Sequence, residues 1–288
     1  MARKTTPKPG TAIVSWEDKL AEQAAQAAEA EKLTGGGKFF STQAGVLKFD
    51  DTPMPGNQMA VIILDGIHEN LFYGTAYDPD NRAPPKCFAF SRTDDGELIA
   101  EEDMQPHPRV DEDEDTFERQ SEDCASCPMN KFGSADKGKG KACGNRRRLA
   151  VIPAGVYQKT KGGGFELELI DDEDVLRKAD MAFLKLPVMS AKGYSQYVHS
   201  LSGEMRRPPH GVITRIFLEP DSRSQFRINF EMLEKVPDEL MEVIMARHEE
   251  ATKAIAFPYS AFVPDEDEAP KPARKASSSA KLSRGRKK

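Results

Sequence analysis

Gln225-Phe226-Arg227-Ile228-Asn229-Phe230 alternates apolar and polar side chains without a break. A period of two puts Phe226, Ile228 and Phe230 on one face of a strand and Arg227 and Asn229 on the other. Val212–Leu218 precedes it as a hairpin partner. Further apolar, β-branched or aromatic runs occur at Val46–Phe49, Met59–Leu64, Leu71–Tyr77, Cys87–Phe90, Leu149–Ile152, Phe165–Ile170 and Ala182–Leu186. Turn signals separate them: Pro53-Met54-Pro55-Gly56, Asp65-Gly66 and Lys161-Gly162-Gly163-Gly164. Short strands at this spacing predict a mainly β (α+β) fold, an OB-like β-barrel or sandwich of about eight strands with two or three helices.

The helices are few. Ser15 and Asp18 form a capping-box pattern ahead of the alanine-rich Trp16–Leu33. Ser190 is placed to cap Ala191–Leu201, where Tyr194, Tyr197, Val198 and Leu201 make a core stripe. Pro237 opens a last helix whose apolar face holds Leu240, Met241, Ile244, Met245 and Ile255. The domains read as a basic arm and alanine-rich helix at 1–37, a β-rich core at 38–264, and an acidic-then-basic tail at 265–288.

The chain has 288 residues, 41 basic and 47 acidic, with 38% hydrophobic and 31% charged residues. The longest apolar run, Met59–Leu64, is far below the ~20 residues of a membrane span, so no membrane association is expected. No apolar segment follows the basic N-terminus, which argues for a cytoplasmic protein. Charge is strongly segregated. Residues 94–123 carry 14 acidic and two basic side chains and read as a solvated acidic linker that could also compete with nucleic acid for basic surface. Lys131–Arg148 holds seven basic residues against one acidic, and Lys271–Lys288 holds eight basic residues and no acid. Basic ends and a basic internal loop point to a polyanionic partner.

All four cysteines fit one metal site. Cys124-Ala125-Ser126-Cys127 is a C-x-x-C knuckle, and Cys143 follows after fifteen intervening residues. That spacing suits a structural Zn²⁺, which takes four soft ligands in a tetrahedron. Cys87 is the first choice for the fourth ligand and His107 the alternative. A [4Fe–4S] cluster uses four thiolates too, and metal-free buried thiols are the remaining alternative. The loop 124–148 has little apolar content, so a metal cross-link would order it. Lys131, Lys137, Lys139, Lys141, Arg146, Arg147 and Arg148 then form a phosphate-binding edge. Phe132 either stacks on a base or packs against the metal site. Tyr73 and Tyr77 share one face of a strand and either stack on bases or pack in the sheet, and Arg206 and Arg207 are loop cations that either hold phosphates or stand in an exposed turn.

The run Cys124-Ala-Ser-Cys-Pro-Met-Asn-Lys-Phe-Gly-Ser-Ala-Asp-Lys-Gly-Lys-Gly-Lys-Ala-Cys143-Gly-Asn-Arg-Arg-Arg-Leu resembles a cysteine-rich segment of phage and prophage proteins tied to DNA replication and recombination. With a β-rich body, it resembles the zinc-containing single-stranded DNA-binding proteins of tailed phages. The resemblance implies an OB-type barrel that holds the strand, structural zinc, a bacterial host cytoplasm, and phage replication or recombination proteins as further partners. One departure is the C-terminus, where Asp265–Glu268 is followed by a basic end instead of an acidic one. The chain is therefore expected to be no enzyme but a sequence-independent single-strand binder. Alternatives are a metal-stapled nuclease, for which Asp171-Asp172-Glu173-Asp174 with Glu166 is the thin candidate site, and a zinc-containing interaction or transcription module.

Overall fold

The computed structural model describes residues 39–42, 45–49, 52–74, 83–136, 138–222 and 225–259. The 1–37 arm and helix, Tyr77, Lys137 and the 265–288 tail lie outside the described residues. Two long strands form the spine, β4 (Gln58–Phe72) and β6 (Gly144–Lys159). Each is long enough to serve two neighbours in succession. β9 (Val212–Asp221), with β10 (Gln225–Lys235) beside it, pairs with the first part of β4, and β5 (Cys87–Phe90) pairs with its end. β8 (Ala182–Leu186) pairs with the start of β6 and β7 (Phe165–Leu169) with its end. The result is a seven-stranded antiparallel sheet that forks at both ends and curls into a half-barrel. Three two-residue strands, β1 (Phe40–Ser41), β2 (Lys48–Phe49) and β3 (Thr52–Pro53), make a small separate sheet.

The Asp65-Gly66 pair, expected as a turn between two strands, lies inside β4. Register jumps between Ile63 and Asp65, a β-bulge that leaves Leu64 without its own partner. Met59, Val61 and Ile63 face one core, while Ala60, Ile62 and Leu64 face the other. Past the bulge the second core receives Ile67 and Leu71, so the alternation has changed phase. Gly66 is required there, because a Cβ would stand 2.9 Å from Leu149 Cδ2 and from the Tyr194 hydroxyl.

Four α-helices, α1 (Arg109–Glu112), α2 (Glu173–Lys178), α3 (Val188–Ser200) and α4 (Met241–Ala254), are found among the described residues. α3 covers one face through Tyr194 and Tyr197, with Leu201 just beyond its end, as the stripe predicts. α4 covers the opposite face through Val243, Ile244 and Ala251, and α2 adds Leu176. Each buried aliphatic side chain of this kind contributes about 1.5–3 kcal/mol of transfer free energy. Two helix starts differ from expectation. Pro187 holds the cap position of α3, and Ser190 is inside, where its hydroxyl accepts the Ile228 N–H at 3.1 Å. Pro237 caps a 3₁₀ turn, Asp238–Leu240, that leads into α4. No helix among the described residues is long and apolar enough to cross a membrane.

The acidic stretch is held against the sheet. Met104, Val110 and Phe117 are buried, while its carboxylates face solvent or pair with Lys86, Arg119, His68 and His107. This segment roofs the far end of β4 and β5.

Candidate metal centre and basic loop

The two-residue alternation brings Phe72 and Asn70 of β4, Cys87 and Ala89 of β5 and Asn145 of β6 to one face of the sheet end. The acidic stretch crosses this face and leads into the C-x-x-C knuckle. Asp123 shapes the knuckle by accepting the Ser126 N–H at 2.6 Å and the Ser126 hydroxyl at 2.7 Å. The Cys124 N–H donates to the Met104 carbonyl at 2.9 Å, and the Cys143 N–H donates to the Met129 carbonyl at 2.8 Å. Cys87, Cys124, Cys127 and Cys143 thereby line one small cavity of about 20 Å³, the space of a single water-sized body.

His107 does not line that cavity. Its ring stacks on Phe88 at 5.2 Å, its Nε2 meets Asp94 Oδ1 at 3.2 Å, and its Nδ1 accepts the Arg109 N–H at 3.1 Å. The four thiols are all free of disulfides. As they stand, no three His, Cys, Asp or Glu side chains among the described residues form a group that could hold a metal ion. The four thiols line the same cavity without converging on one point.

Burial pushes the Cys87 thiol up to about 11 and Cys143 up to about 12, and the neighbouring cysteines push in the same direction. Cys124 is raised as well, mainly by burial, against a hydrogen bond from the Asn70 side chain that favours its thiolate. A hydrogen bond from the Gln120 backbone does the same for Cys87. Four soft donors line one pocket, and two of them, Cys87 and Cys124, are met by N–H groups, the kind of donor set a thiolate metal site would use.

Between Cys127 and Cys143 the chain forms a projecting loop. The 3₁₀ turn Pro128–Asn130 starts it, and Gly133 N–H to Gly140 carbonyl (2.9 Å) closes its neck. Three asparagines that the sequence reading overlooked tie it down. Asn130 Nδ2 donates to the Cys124 carbonyl at 2.7 Å, and Asn145 Nδ2 donates to Asn70 Oδ1 at 2.6 Å. Lys141 Nζ donates to Asn130 Oδ1 at 3.0 Å and Asn145 Oδ1 at 2.9 Å. No motif marks asparagines spread over 75 residues of chain.

Phe132 does not pack on the cysteines. It is 83% exposed, with Lys141 Nζ 5.4 Å from its ring centroid. Lys131 and Lys139 are exposed beside it, while Lys141 is half-buried and engaged in the loop. The three consecutive arginines separate. Arg148 is fully buried, bonded to Glu69 and to the carbonyls of Ile255 and Phe257, so it is corrected from phosphate contact to core residue. Its position in β6 points it inward, where aromatic rings of Phe90 and Phe257 enclose its guanidinium at 4.6 and 4.3 Å. Arg146 and Arg147 are half-buried on opposite faces of the same strand.

The remaining candidates are scattered. Tyr73 packs against the core that contains Phe88. Arg206 is exposed with a left-handed φ of 54°, and Arg207 ties a loop by donating to the carbonyls of Gly211 and Val236, both at 3.2 Å. Asp172 caps α2, accepting the N–H groups of Asp174 (2.8 Å) and Val175 (3.3 Å), which accounts for that acidic run structurally. No family model matches the chain, and neither the curated proteins nor the solved structures compared with it give a match.

Proposed function

We propose that the chain is a non-enzymatic, sequence-independent single-stranded DNA-binding protein whose basic loop is fixed by a structural zinc ion. The observation that carries this reading is Phe132, a large aromatic ring exposed between lysines on a loop rooted at four clustered cysteines. A solvent-facing ring at such a place has no packing role, and a base-stacking role explains it. Lys131 and Lys139 beside it supply phosphate contacts, which makes binding depend on salt. The curled sheet serves as the OB-like body that carries the loop. The resemblance of the Cys124–Arg148 segment to phage proteins supports phage replication or recombination as the setting of this activity.

Cys87, Cys124, Cys127 and Cys143 would hold the ion. A cavity with room for one atom-sized body suits a single ion over a four-iron cluster. Four thiolates close the coordination sphere, so zinc here supplies a cross-link and no reaction. The protein's own part is to hold the loop: Asn70, Asn130 and Asn145 orient it, and Asp123 sets the knuckle. The test is fluorescence anisotropy of labelled single-stranded and duplex oligonucleotides at low and moderate salt. Single-strand binding that exceeds duplex binding and weakens with salt supports the reading. Equal, weak binding to both overturns it.

A further inference from the structure

Four histidines that lie up to 180 residues apart in sequence meet in a second place. At the β4 bulge, between α3, α4 and the turn Pro209–Gly211, an open cleft of about 370 Å³ is lined by His68, His199, His210, His248, Arg147 and Tyr194. That volume falls within the range of small-molecule sites.

The polar groups of the cleft converge in a particular way. His248 Nδ1–H donates to the Leu64 carbonyl at 2.7 Å, which leaves its Nε2 for another partner. His210 stacks on His248 with ring centroids 4.2 Å apart, a flat imidazole surface. Asp65, the carboxylate of the lining, is already neutralised by Arg92, Nη2 to Oδ2 at 2.9 Å. Arg147 differs from Arg92 and Arg148. Among the described residues it has no carboxylate in ion-pair contact, and its hydrogen bond to the Arg146 carbonyl is long at 3.4 Å. Glu101 approaches from the acidic stretch but pairs with His68 Nδ1 at 3.1 Å. A half-buried guanidinium beside imidazoles, with the nearest carboxylates already engaged, is an arrangement for an anion. Apolar wall residues, Val198 and Pro208, give the same cleft a surface for a planar group.

We infer that this cleft binds a nucleotide phosphate, with Arg147 on the phosphate and the His210–His248 stack beside the base or sugar. The phosphate has two sources, a residue of the bound strand or a free mononucleotide. The strand source rests on the function proposed above. It is favoured by position, since Arg147 lies on the same face of β6 as Asn145, two residues and about 7 Å from the anchor of the basic loop.

The experiment is a titration of the full chain followed by the ring resonances of His210 and His248 in ¹H–¹³C spectra, with inorganic phosphate, thymidine monophosphate and an oligo-dT as probes. Saturable shifts with any of the three, weakened about tenfold in Arg147→Gln and restored in part by Arg147→Lys, support the site. His210→Gln, half-buried in the turn Pro209–Gly211, serves as the second variant, with melting curves to verify its fold. Shifts with oligo-dT that free nucleotide does not reproduce assign the strand source. Shifts with mononucleotide that oligo-dT does not displace assign the free source. Histidine resonances that stay fixed with all three probes overturn the inference, and do so even when anisotropy shows tight single-strand binding, which leaves the loop-based function standing.

Discussion

The Arg148 guanidinium meets the Glu69 carboxylate across the β4–β6 ladder, Nε to Oε1 at 3.0 Å, with both side chains wholly out of solvent. Tyr259 donates its hydroxyl to the same oxygen at 2.9 Å, and Lys185 donates to the Tyr259 hydroxyl at 2.6 Å. Burial lowers Lys185 to about 8, so this cluster holds its charges at a cost that only its mutual contacts offset. Removing one partner leaves the other charge buried alone. Arg148→Ala should destabilise the protein by about 3–5 kcal/mol, read as a lower midpoint in urea denaturation. The double variant Arg148→Met, Glu69→Leu should recover much of the loss. A single variant within about 0.5 kcal/mol of wild type, the range of an ordinary surface change, would contradict the burial described.

Metal content is a separate matter. Protein purified without chelator should carry about one zinc per chain by plasma mass spectrometry, as expected for a closed four-thiolate site. Cys87→Ser and Cys124→Ser should each lose it, whereas His107→Ala should keep it. Zinc retained in Cys87→Ser but lost in His107→Ala would reverse the choice of fourth ligand. Chelation should expose the loop 128–142 to protease while the sheet stays folded.

Phe132 sits where a substitution touches binding alone. Phe132→Ala should weaken oligonucleotide binding by about 1–3 kcal/mol, the worth of one stacked base, with the melting temperature unchanged because the ring is exposed. Lys131→Gln and Lys139→Gln should each flatten the salt dependence by close to one counterion. Unchanged affinity in Phe132→Ala would remove the observation on which the proposed function stands.

Stability should also fall on mild acidification. Burial lowers His68 and His210 below the ordinary 6.5, so the folded state resists their protonation. As pH drops through about 6.5 the unfolded chain takes up these protons first, and stability declines until the folded-state values are passed. Melting temperatures measured from pH 8 to 5 should decrease below about 6.5, and His210→Gln should reduce the slope. Saturating phosphate should reduce it too if the cleft is an anion site.

The strands were legible because their alternation is a local property. Ala182–Leu186 matches β8 at both ends, and the hairpin read from Val212–Leu218 and Gln225–Phe230 is the β9–β10 pair. The gathering of the cysteines was half legible, since C-x-x-C brings two thiols together locally while Cys87 joins them through the strand pairing of Cys87 with Phe72. The fate of Arg146, Arg147 and Arg148 was not. Identical neighbours in sequence are assigned to a half-exposed face, a cleft and a core by the pleat and by Phe257 and Tyr259, more than a hundred residues on. The histidine cleft was invisible for the same reason. His68 and His248 are brought together by α4 packing on β4, a tertiary contact with no local signature.

The bulge at Leu64 has a consequence for what changes of length the chain tolerates. Residues upstream and downstream of it read out in opposite phase, so the strand behaves as two half-strands spliced one residue out of step. Deleting Leu64 would rejoin them in step and leave Glu69 on Arg148 and Asn70 on the cysteine side, so this is the one place in the strand where a residue can be lost without turning its neighbours over. The same loss anywhere between Ile67 and Glu69 would reverse the faces around it and separate Glu69 from Arg148.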